Sequence, residues 1–338
     1  MTGMPEYAGK KAKDMAGKKK TSQDLMRTLK NSGQEYARRK GGKYALIAAC
    51  PLLAIVLLLT GKLNLNDLGL GGSGKEASVT GENPLTVTYL DVGQSDCTVL
   101  QCGEHAMIID GGGNSMADTI LEDLEELGIK KFDYVIATHS HEDHIGGLDA
   151  VLANYPAENI VCLREDVDTK SYLDFLREAD ESGAEWIAPE PGTEFSFGEA
   201  EVMLIAPSED VLDETNNRSV GLLLTFGKTR FLFTGDAEEE SERAMLELGV
   251  SLEADVFQAG HHGSSTSNSE AFVKAVDPVY AVISCGTDNK YGHPHSEVLA
   301  RFQEHDVQVY RTDTMGTITI VSDGKDLTIH TEKPAARK

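Results

Sequence analysis

The sequence predicts an α+β fold in which two β-sheets pack face to face with helices outside, preceded by one transmembrane helix. Two observations lead to this prediction. Residues 85–330 alternate about a dozen strand-like segments with roughly six helical ones, which suits stacked sheets covered by helices. Upstream of them, residues 44–60 contain no charged residue and are bracketed by Lys43 and Lys62, as a short membrane helix requires.

The net charge of −24 divides at this uncharged segment. Residues 1–43 carry 12 Lys and Arg against 4 Asp and Glu, whereas the remainder carries 19 basic and 51 acidic residues. Because excess Lys and Arg mark the cytoplasmic flank of a membrane helix, we expect residues 1–43 in the cytoplasm and the chain after Lys62 outside the cell. A buried core helix, a cleaved signal peptide and a lipoprotein site at Cys50 explain this segment less well, since a long basic region precedes it.

The chain therefore divides into five predicted segments of a single-pass cell-membrane protein. They are a basic, disordered cytoplasmic tail (1–43), a transmembrane anchor (44–60), a glycine-rich linker (61–84), an extracellular globular domain (85–332) and a short tail (333–338). A flexible linker of that length spans about 25–30 Å, so the domain would lie close to the membrane surface. The five cysteines show no metal-type spacing, and we expect no structural disulfide.

The elements of the globular domain follow from hydrophobic periodicity. Alternating or short apolar runs predict strands at 85–92, 97–102, 106–110, 132–138, 159–163, 201–207, 219–226, 229–236, 254–259, 279–285, 307–312, 316–321 and 326–330. Helical spacing predicts helices at 116–127, 148–155, 171–180, 237–248, 269–276 and 296–304. No internal repeat is visible in the sequence.

The densest group of chemically active residues comes directly after a predicted strand. His139, His141, Asp143 and His144 place four potential metal ligands within six residues, before a pair of glycines. Imidazole and carboxylate ligands together suit Zn, Mn or Fe. Because alternate residues of a tight loop point in different directions, His139 and His141 suit one ion, whereas Asp143 and His144 suit a neighbouring ion.

Three further groups also stand at the ends of predicted strands. Asp236 ends one strand, and its two oxygens could bridge two cations. His261 and His262 lie between glycines after another strand, and His293 lies in the loop after a third. Each of these groups alone is typical of an ordinary loop. Together with the first cluster they indicate one metal pocket.

These motifs resemble those of the metallo-β-lactamase superfamily. The HxHxDH loop, the IIDGG strand end at Asp110 and the TGD at Asp236 carry the resemblance, which implies an αββα sandwich and a two-metal site. LDVGQSD (90–96), NNRS (216–219), AGHHGS (259–264) and YGHPH (291–295) resemble more closely the C-terminal hydrolase domain of ComEC-type DNA-uptake proteins and their stand-alone relatives. The resemblance covers about residues 85–322.

The resemblance implies a role for each of these residues. Asp236 would bridge two divalent ions, Zn or Mn. Asp110 would not bind the ions itself but would support the loop that carries His139 to His144. Asn216 or Asn217 falls where many superfamily members have another metal-binding histidine, a departure that weakens the first site. The implied ligands are His139, His141, Asp143, His144, Asp236 and one histidine of the 261–262 pair, preferentially His262.

The implied chemistry is hydrolysis by a water molecule activated between two metals. Asp143 and Asp236 would orient this nucleophile or take its proton. Ser264 has an equally good interpretation as part of a helix N-cap before residue 269. The groups that would bind the substrate or protonate its leaving oxygen are Asn216, Asn217, His261, Ser264 and His293.

The sequence thus predicts a membrane-anchored extracellular phosphodiesterase or nuclease. Residues 85–338 carry 17 basic and 48 acidic residues, a balance that repels polyanions away from the metals. A small phosphodiester therefore stays open as substrate beside nucleic acid. Two other functions compete with this one. They are hydrolysis of a carboxylic ester, lactone or β-lactam by the same site, and a non-catalytic metal-binding module.

Overall fold

The computed structural model describes residues 83–334. The predicted cytoplasmic tail, the anchor, nearly all of the linker and most of the C-terminal tail therefore lie outside the described residues. Within the described range, no helix is both long enough and apolar enough to cross a membrane. The described residues form two β-sheets with helices packed on their outer faces. This arrangement confirms the predicted sandwich of two sheets between helical layers.

Fifteen strands are present in residues 83–334. They are β1 (Leu85–Tyr89), β2 (Thr98–Cys102), β3 (His105–Ile109), β4 (Phe132–Ala137), β5 (Ala157–Cys162), β6 (Glu185–Ile187), β7 (Glu194–Phe197), β8 (Ala200–Ala206), β9 (Gly221–Phe226), β10 (Thr229–Phe233), β11 (Val256–Gln258), β12 (Tyr280–Ile283), β13 (Gln308–Arg311), β14 (Ile318–Ser322) and β15 (Leu327–Thr331). The sequence did not predict β6 and β7, which are only three and four residues long.

Eight α-helices accompany these strands within the same range. They are α1 (Ala117–Glu126), α2 (Glu142–Ile145), α3 (Leu148–Asn154), α4 (Lys170–Ser182), α5 (Glu239–Glu247), α6 (Glu270–Val276), α7 (Ser296–Glu304) and α8 (Thr312–Met315). The six longer helices agree with the predicted ones to within a few residues. The four-residue helices α2 and α8 are additions, too short to show a helical stripe in the sequence.

The two sheets share one design. The first has the strand order β15-β14-β1-β2-β3-β4-β5-β6, and the second has the order β13-β12-β11-β10-β9-β8-β7. In each sheet the antiparallel strands occupy one part, and the other part is parallel, from β3 to β6 and from β10 to β13. The loops that follow parallel strands leave from the carboxyl ends of those strands, and ligand sites of α/β proteins form there.

The core consists of three layers of buried apolar side chains. The central layer joins the inner faces of both sheets and contains large residues such as Tyr89, Phe226 and Phe231. A second layer packs α1, α3 and α4 on the first sheet, and a third packs α5, α6 and α7 on the second sheet. Cys97 and Cys102 belong to different layers, and the four cysteines of the described residues are free and buried.

Candidate metal centre

Asp236 lies at the centre of a cluster of histidines, directly after β10. Its Oδ2 is 3.8 Å from Nε2 of His139 and 3.6 Å from Nε2 of His261. Its Oδ1 is 3.2 Å from Nε2 of His144 and 3.9 Å from Nε2 of His262. Because each carboxylate oxygen faces a different pair of imidazoles, this one side chain can contact two cations at once.

Of the compact groups of potential ligands among the described residues, one contains Asp236 and another lies beside it. In each group, one donor atom per residue lies within 4.8 Å of the others. One group consists of His139, His141 and Asp236, and the other consists of Asp143, His144 and His262. The loop after β4 thus divides between two groups in the way that alternate side-chain directions predict.

Several polar atoms in the cluster around Asp236 are buried without a hydrogen-bond partner. They include Nε2 of His144, Nε2 of His262 and Oδ1 of Asp236. An unpartnered buried polar atom costs about 1–3 kcal/mol, so such atoms rarely cluster without a reason. A divalent cation between them would provide the missing partner, and imidazole with carboxylate is a donor set that suits Zn or Mn. The residues present therefore fit a metal centre.

Opposite charges and burial together determine the electrostatics of the cluster. Burial acts to raise the pKa of Asp236, but the positive charges of His144 and His262 outweigh it and hold that pKa well below its ordinary value. Burial likewise acts to lower the pKa of His144, whereas the charges of Asp236 and Asp110 raise it well above the ordinary value. Burial and the charge of His144 lower the pKa of His139 well below its usual range.

Asp110 braces His144 from the end of β3. Its Oδ2 accepts hydrogen bonds from Nδ1 of His144 and Oγ1 of Thr138, both at 2.7 Å, and its Oδ1 accepts from the backbone N–H of Thr138 at 2.8 Å. A carboxylate on Nδ1 leaves Nε2 as the metal-binding atom and fixes the ring. Asp110 has a φ of 60°, a strained value that these contacts maintain.

Asp96 and a backbone carbonyl both lie beside Nδ1 of His262. Nδ1 of His262 lies 3.0 Å from the carbonyl oxygen of Ser284 and 3.3 Å from Oδ1 of Asp96. Gln258 donates to the other oxygen of Asp96 at 3.0 Å and accepts from Thr98 at 3.1 Å. Asp96 was not among the predicted functional residues, although it ends the LDVGQSD motif.

On the side of the cluster where His139 lies, hydroxyl groups hold the imidazole in place. Nδ1 of His139 lies 3.1 Å from Oγ1 of Thr138 and 3.3 Å from Oγ of Ser219. Ser219 also accepts a hydrogen bond from the backbone N–H of Asp236 at 3.0 Å. Ser219 therefore positions His139 and the bridging carboxylate together, and it is a second residue whose role the sequence did not predict.

Gly146 and Gly147 allow the loop after β4, which carries His139 to His144, to approach the backbone of the loop after β3. A Cβ at Gly146 would lie 2.4 Å from the backbone nitrogen of Asn114, and one at Gly147 would lie 2.3 Å from the carbonyl oxygen of Gly111. Both distances are far shorter than any real contact. In addition, the N–H of Gly111 donates to the carbonyl of His144 at 2.6 Å. The glycine pair is thus what lets α2 lie against the loop after β3.

The histidine pair after β11 lies in an unusual turn. His261 and His262 both have left-handed backbones, with φ values of 52° and 53°. Such values are costly for a side-chain-bearing residue and concentrate at functional sites. The turn directs His262 into the buried centre, whereas the His261 side chain stays partly exposed and contacts Thr266 and Glu238. Both members of the pair consequently face Asp236.

The cluster opens to solvent through a cavity of about 700 Å³. Asp143, Asp236, His261, His262 and His293 are among its lining residues. At its rim, the ammonium group of Lys290 lies 4.8 Å from the ring centroid of Tyr291, whose ring stacks on His293. A substrate in this cavity would reach the ligand groups from the open side.

Two of the residues predicted to bind substrate do not line the cavity. The Ser264 hydroxyl accepts from the backbone N–H of Thr266 within its own turn, and the helix N-cap is Ser269 instead. The Asn217 side chain is buried and accepts from the backbone N–H of Glu238. Neither Ser264 nor Asn217 lines the cavity, because both are used to hold loops, whereas Asn216 does line it.

The fold and this cluster agree with the comparison to protein families. A family profile described as the Metallo-beta-lactamase superfamily matches residues 90–287. The chain belongs to this superfamily, whose fold is that of a metal-dependent hydrolase. Its predicted αββα architecture is thereby confirmed.

The chain is also similar to curated competence proteins of the ComEC type, as the motifs predict. The chain is 30% identical to ComE operon protein 3 of Bacillus subtilis over 250 residues and 30% identical to Competence protein ComA of Neisseria gonorrhoeae over 286 residues. It is 32% identical to Recombination protein 2 of Haemophilus influenzae over 240 residues. These alignments cover 69%, 80% and 69% of this chain, but only 32%, 39% and 28% of the relatives.

Proposed function

We propose that this chain is a two-metal phosphodiesterase, anchored in the cell membrane with its hydrolase domain outside. The observation that carries the proposal is the position of Asp236, whose two oxygens face separate imidazole pairs. A pair of divalent ions held there would lower the pKa of a water molecule and neutralise charge on a phosphate. The names of the relatives, which refer to competence and recombination, support nucleic acid as one substrate.

The ligand roles proposed here follow the two groups around Asp236. His139 and His141 would hold one ion, Asp143, His144 and His262 the other, and Asp236 would bridge them. His261 faces the same oxygen of Asp236 as His139 does. We therefore assign His261 to the first ion, where it would compensate for the asparagines that replace a superfamily ligand at 216–217.

Asp143 would orient the attacking water. Burial acts to raise its pKa, but Nε2 of His262, 3.5 Å from its Oδ2, and the charge of His144 lower that pKa well below the ordinary value. The side chain stays ionised at neutral pH and lies at the wall of the cavity. An ionised carboxylate in this position accepts a hydrogen bond from water and so aims its lone pair at the phosphorus.

The test is hydrolysis by the purified full-length chain loaded with Mn or Zn. We expect release of p-nitrophenol from bis(p-nitrophenyl) phosphate, and we expect the metal-stripped chain to be inactive. Cleavage of a lactone or β-lactam without any diester hydrolysis would replace the proposal by the acyl-hydrolase alternative. Two bound ions without hydrolysis of any of these substrates would favour the non-catalytic module.

The proposed topology rests on the charge difference between residues 1–43 and the rest of the chain. A protease added to intact cells should digest residues 85–338 and leave residues 1–43 intact. An epitope at each end would report the two fragments separately. Protection of the hydrolase domain together with digestion of the tail would reverse the proposed orientation.

A further inference from the structure

Gln94 and His293 meet beside the metal centre, although 199 residues separate them in the chain. Gln94 lies in the loop after β1, and His293 lies in the loop after β12. Oε1 of Gln94 accepts a hydrogen bond from the backbone N–H of Gly286 at 3.0 Å, and its Nε2 lies 3.3 Å from Nδ1 of His293. Because a backbone N–H can only donate, this bond identifies the oxygen end of the amide. The amide nitrogen must then donate to His293.

The contact between the two loops is fixed by more than one side chain. A Cβ at Gly286 would lie 2.7 Å from the backbone nitrogen of Gln94, so only glycine permits this approach. Asn289 accepts from the backbone N–H of His293 at 2.9 Å and donates to the carbonyls of Gly286 and His293 at 2.9 and 2.6 Å. The backbone that carries His293 is therefore held in place where Gln94 reaches its ring.

The donor from Gln94 determines which nitrogen of His293 carries the proton. A neutral imidazole has one donor nitrogen and one acceptor nitrogen. Since Nδ1 accepts from Gln94, the proton belongs on Nε2. A nitrogen that accepts a hydrogen bond carries no proton, so this contact also makes the ring the neutral form.

We propose that Gln94 is a positioning residue that holds His293 as its Nε2–H tautomer, so that the ring offers a hydrogen-bond donor to an anionic oxygen of the phosphodiester. This inference rests on the proposed phosphodiesterase function. His293 lines the cavity, and its Nδ1 is already engaged, which leaves Nε2 for the substrate. The neutral ring donates a hydrogen bond and keeps its proton. The leaving oxygen takes its proton from solvent, which revises the expectation that His293 protonates it.

The test replaces Gln94 by glutamate in the full-length chain. A carboxylate still accepts from Gly286, so the loops stay together, but it cannot donate and therefore requires the proton of His293 on Nδ1. At pH 9, where the ring is neutral, we expect kcat of zinc-loaded Gln94→Glu on bis(p-nitrophenyl) phosphate to fall about 100-fold, the typical effect of losing one transition-state donor. KM should change much less.

The matched control is Gln303→Glu, which introduces the same charge at an exposed position of α7. We expect it to retain wild-type kcat and KM. If Gln303→Glu lowers kcat as much as Gln94→Glu does, added negative charge explains the loss and the proposal fails.

A second measurement reads the tautomer directly. In the zinc-loaded chain labelled with ¹⁵N-histidine, the nitrogen shifts of His293 at pH 9 should report Nε2–H in the wild type and Nδ1–H in Gln94→Glu. The His293→Asn variant identifies the resonance. A wild-type ring protonated on Nδ1, or an unchanged kcat after the tautomer has switched, would overturn the proposal. A wild type that hydrolyses no diester defeats the proposed function instead, and the shifts still decide the tautomer.

Discussion

The two ligand groups that share Asp236 are held by different means. On one side His144 and His262 are buried, and carboxylates, Asp110 and Asp96, lie against their Nδ1 atoms. We call these two histidines with Asp143 the carboxylate-braced group. On the other side, His139, His141 and His261 form the hydroxyl-braced group, in which serine and threonine hydroxyls contact the rings of His139 and His261.

This difference predicts two metal sites of unequal strength. Hydrogen bonds to a charged partner are roughly twice as strong as neutral ones, and a carboxylate also makes the imidazole a better metal ligand. His141 is exposed in addition, whereas His144 and His262 are buried. The carboxylate-braced group should therefore bind its ion more tightly, and the hydroxyl-braced group should lose its ion first.

Replacing the shared ligand gives the largest expected effect. Asp236→Ala removes a donor from both groups and leaves several buried imidazoles facing one another. We expect metal analysis to show loss of both ions and kcat/KM on a diester to fall by roughly 1,000-fold or more, since metal activation of water is lost. A variant that keeps two ions and full activity would refute the bridging role.

Proton release should distinguish the two groups. In the metal-free chain, the charges of nearby carboxylates raise the pKa of His144 and of His262, whereas burial lowers that of His139. Raised values mean that His144 and His262 are protonated near neutral pH and must lose their protons to bind metal. Affinity for the tighter ion should therefore fall as pH falls, by about 10-fold per pH unit for each proton released.

Calorimetry in buffers of different ionisation enthalpy measures this release. The tighter ion should release more protons than the weaker ion. Equal release by the two ions, or an affinity for the tighter ion that does not change between pH 6 and pH 8, would contradict the assignment of the two groups.

Removing one brace from each group tests the comparison directly. Asp110→Asn keeps the size of the side chain but removes its charge beside His144. We expect the affinity of the tighter ion to fall about 10- to 100-fold, the usual cost of losing such a partner. Competition with a chelator measures the change, and circular dichroism shows whether the fold survives.

The smallest effect is expected for Ser219→Ala on the hydroxyl-braced side. The loss of its neutral contacts with the His139 ring and with the backbone N–H of Asp236 should weaken the second ion by about 5-fold, which corresponds to about 1 kcal/mol in total. A loss as large as that of Asp110→Asn would show that the two groups are braced equally well.

The sequence predicts the candidate ligands better than the residues that support them. The HxHxDH loop and Asp236 are recognisable because metal-binding side chains concentrate at strand ends. Asp96 and Ser219 escape detection because each acts on a histidine from another part of the chain, 80 residues away for Ser219 and His139. The sequence left two roles open for Ser264, because the direction of its hydroxyl, which accepts within its own turn, depends on backbone geometry that spacing does not encode.

Prediction of the fold from the sequence is limited in the same way. Long strands and helices are predicted well because their apolar periodicity reflects burial in three distinct layers. Strands β6 and β7 contain three and four residues and are partly exposed, so neither offers a period long enough to recognise. Their places at the edges of the sheets depend on pairing with β5 and β8, which is a tertiary contact.

The left-handed turn at His261 and His262 lowers the thermal stability of the chain but supports hydrolysis. Each strained residue costs about 1–3 kcal/mol, and glycine would relieve that cost. His261→Gly should therefore raise the melting temperature of the metal-free chain while it lowers diester hydrolysis. Selection for thermal stability alone would replace these two histidines by glycine. If a laboratory-evolved population keeps them, catalysis must also be under selection.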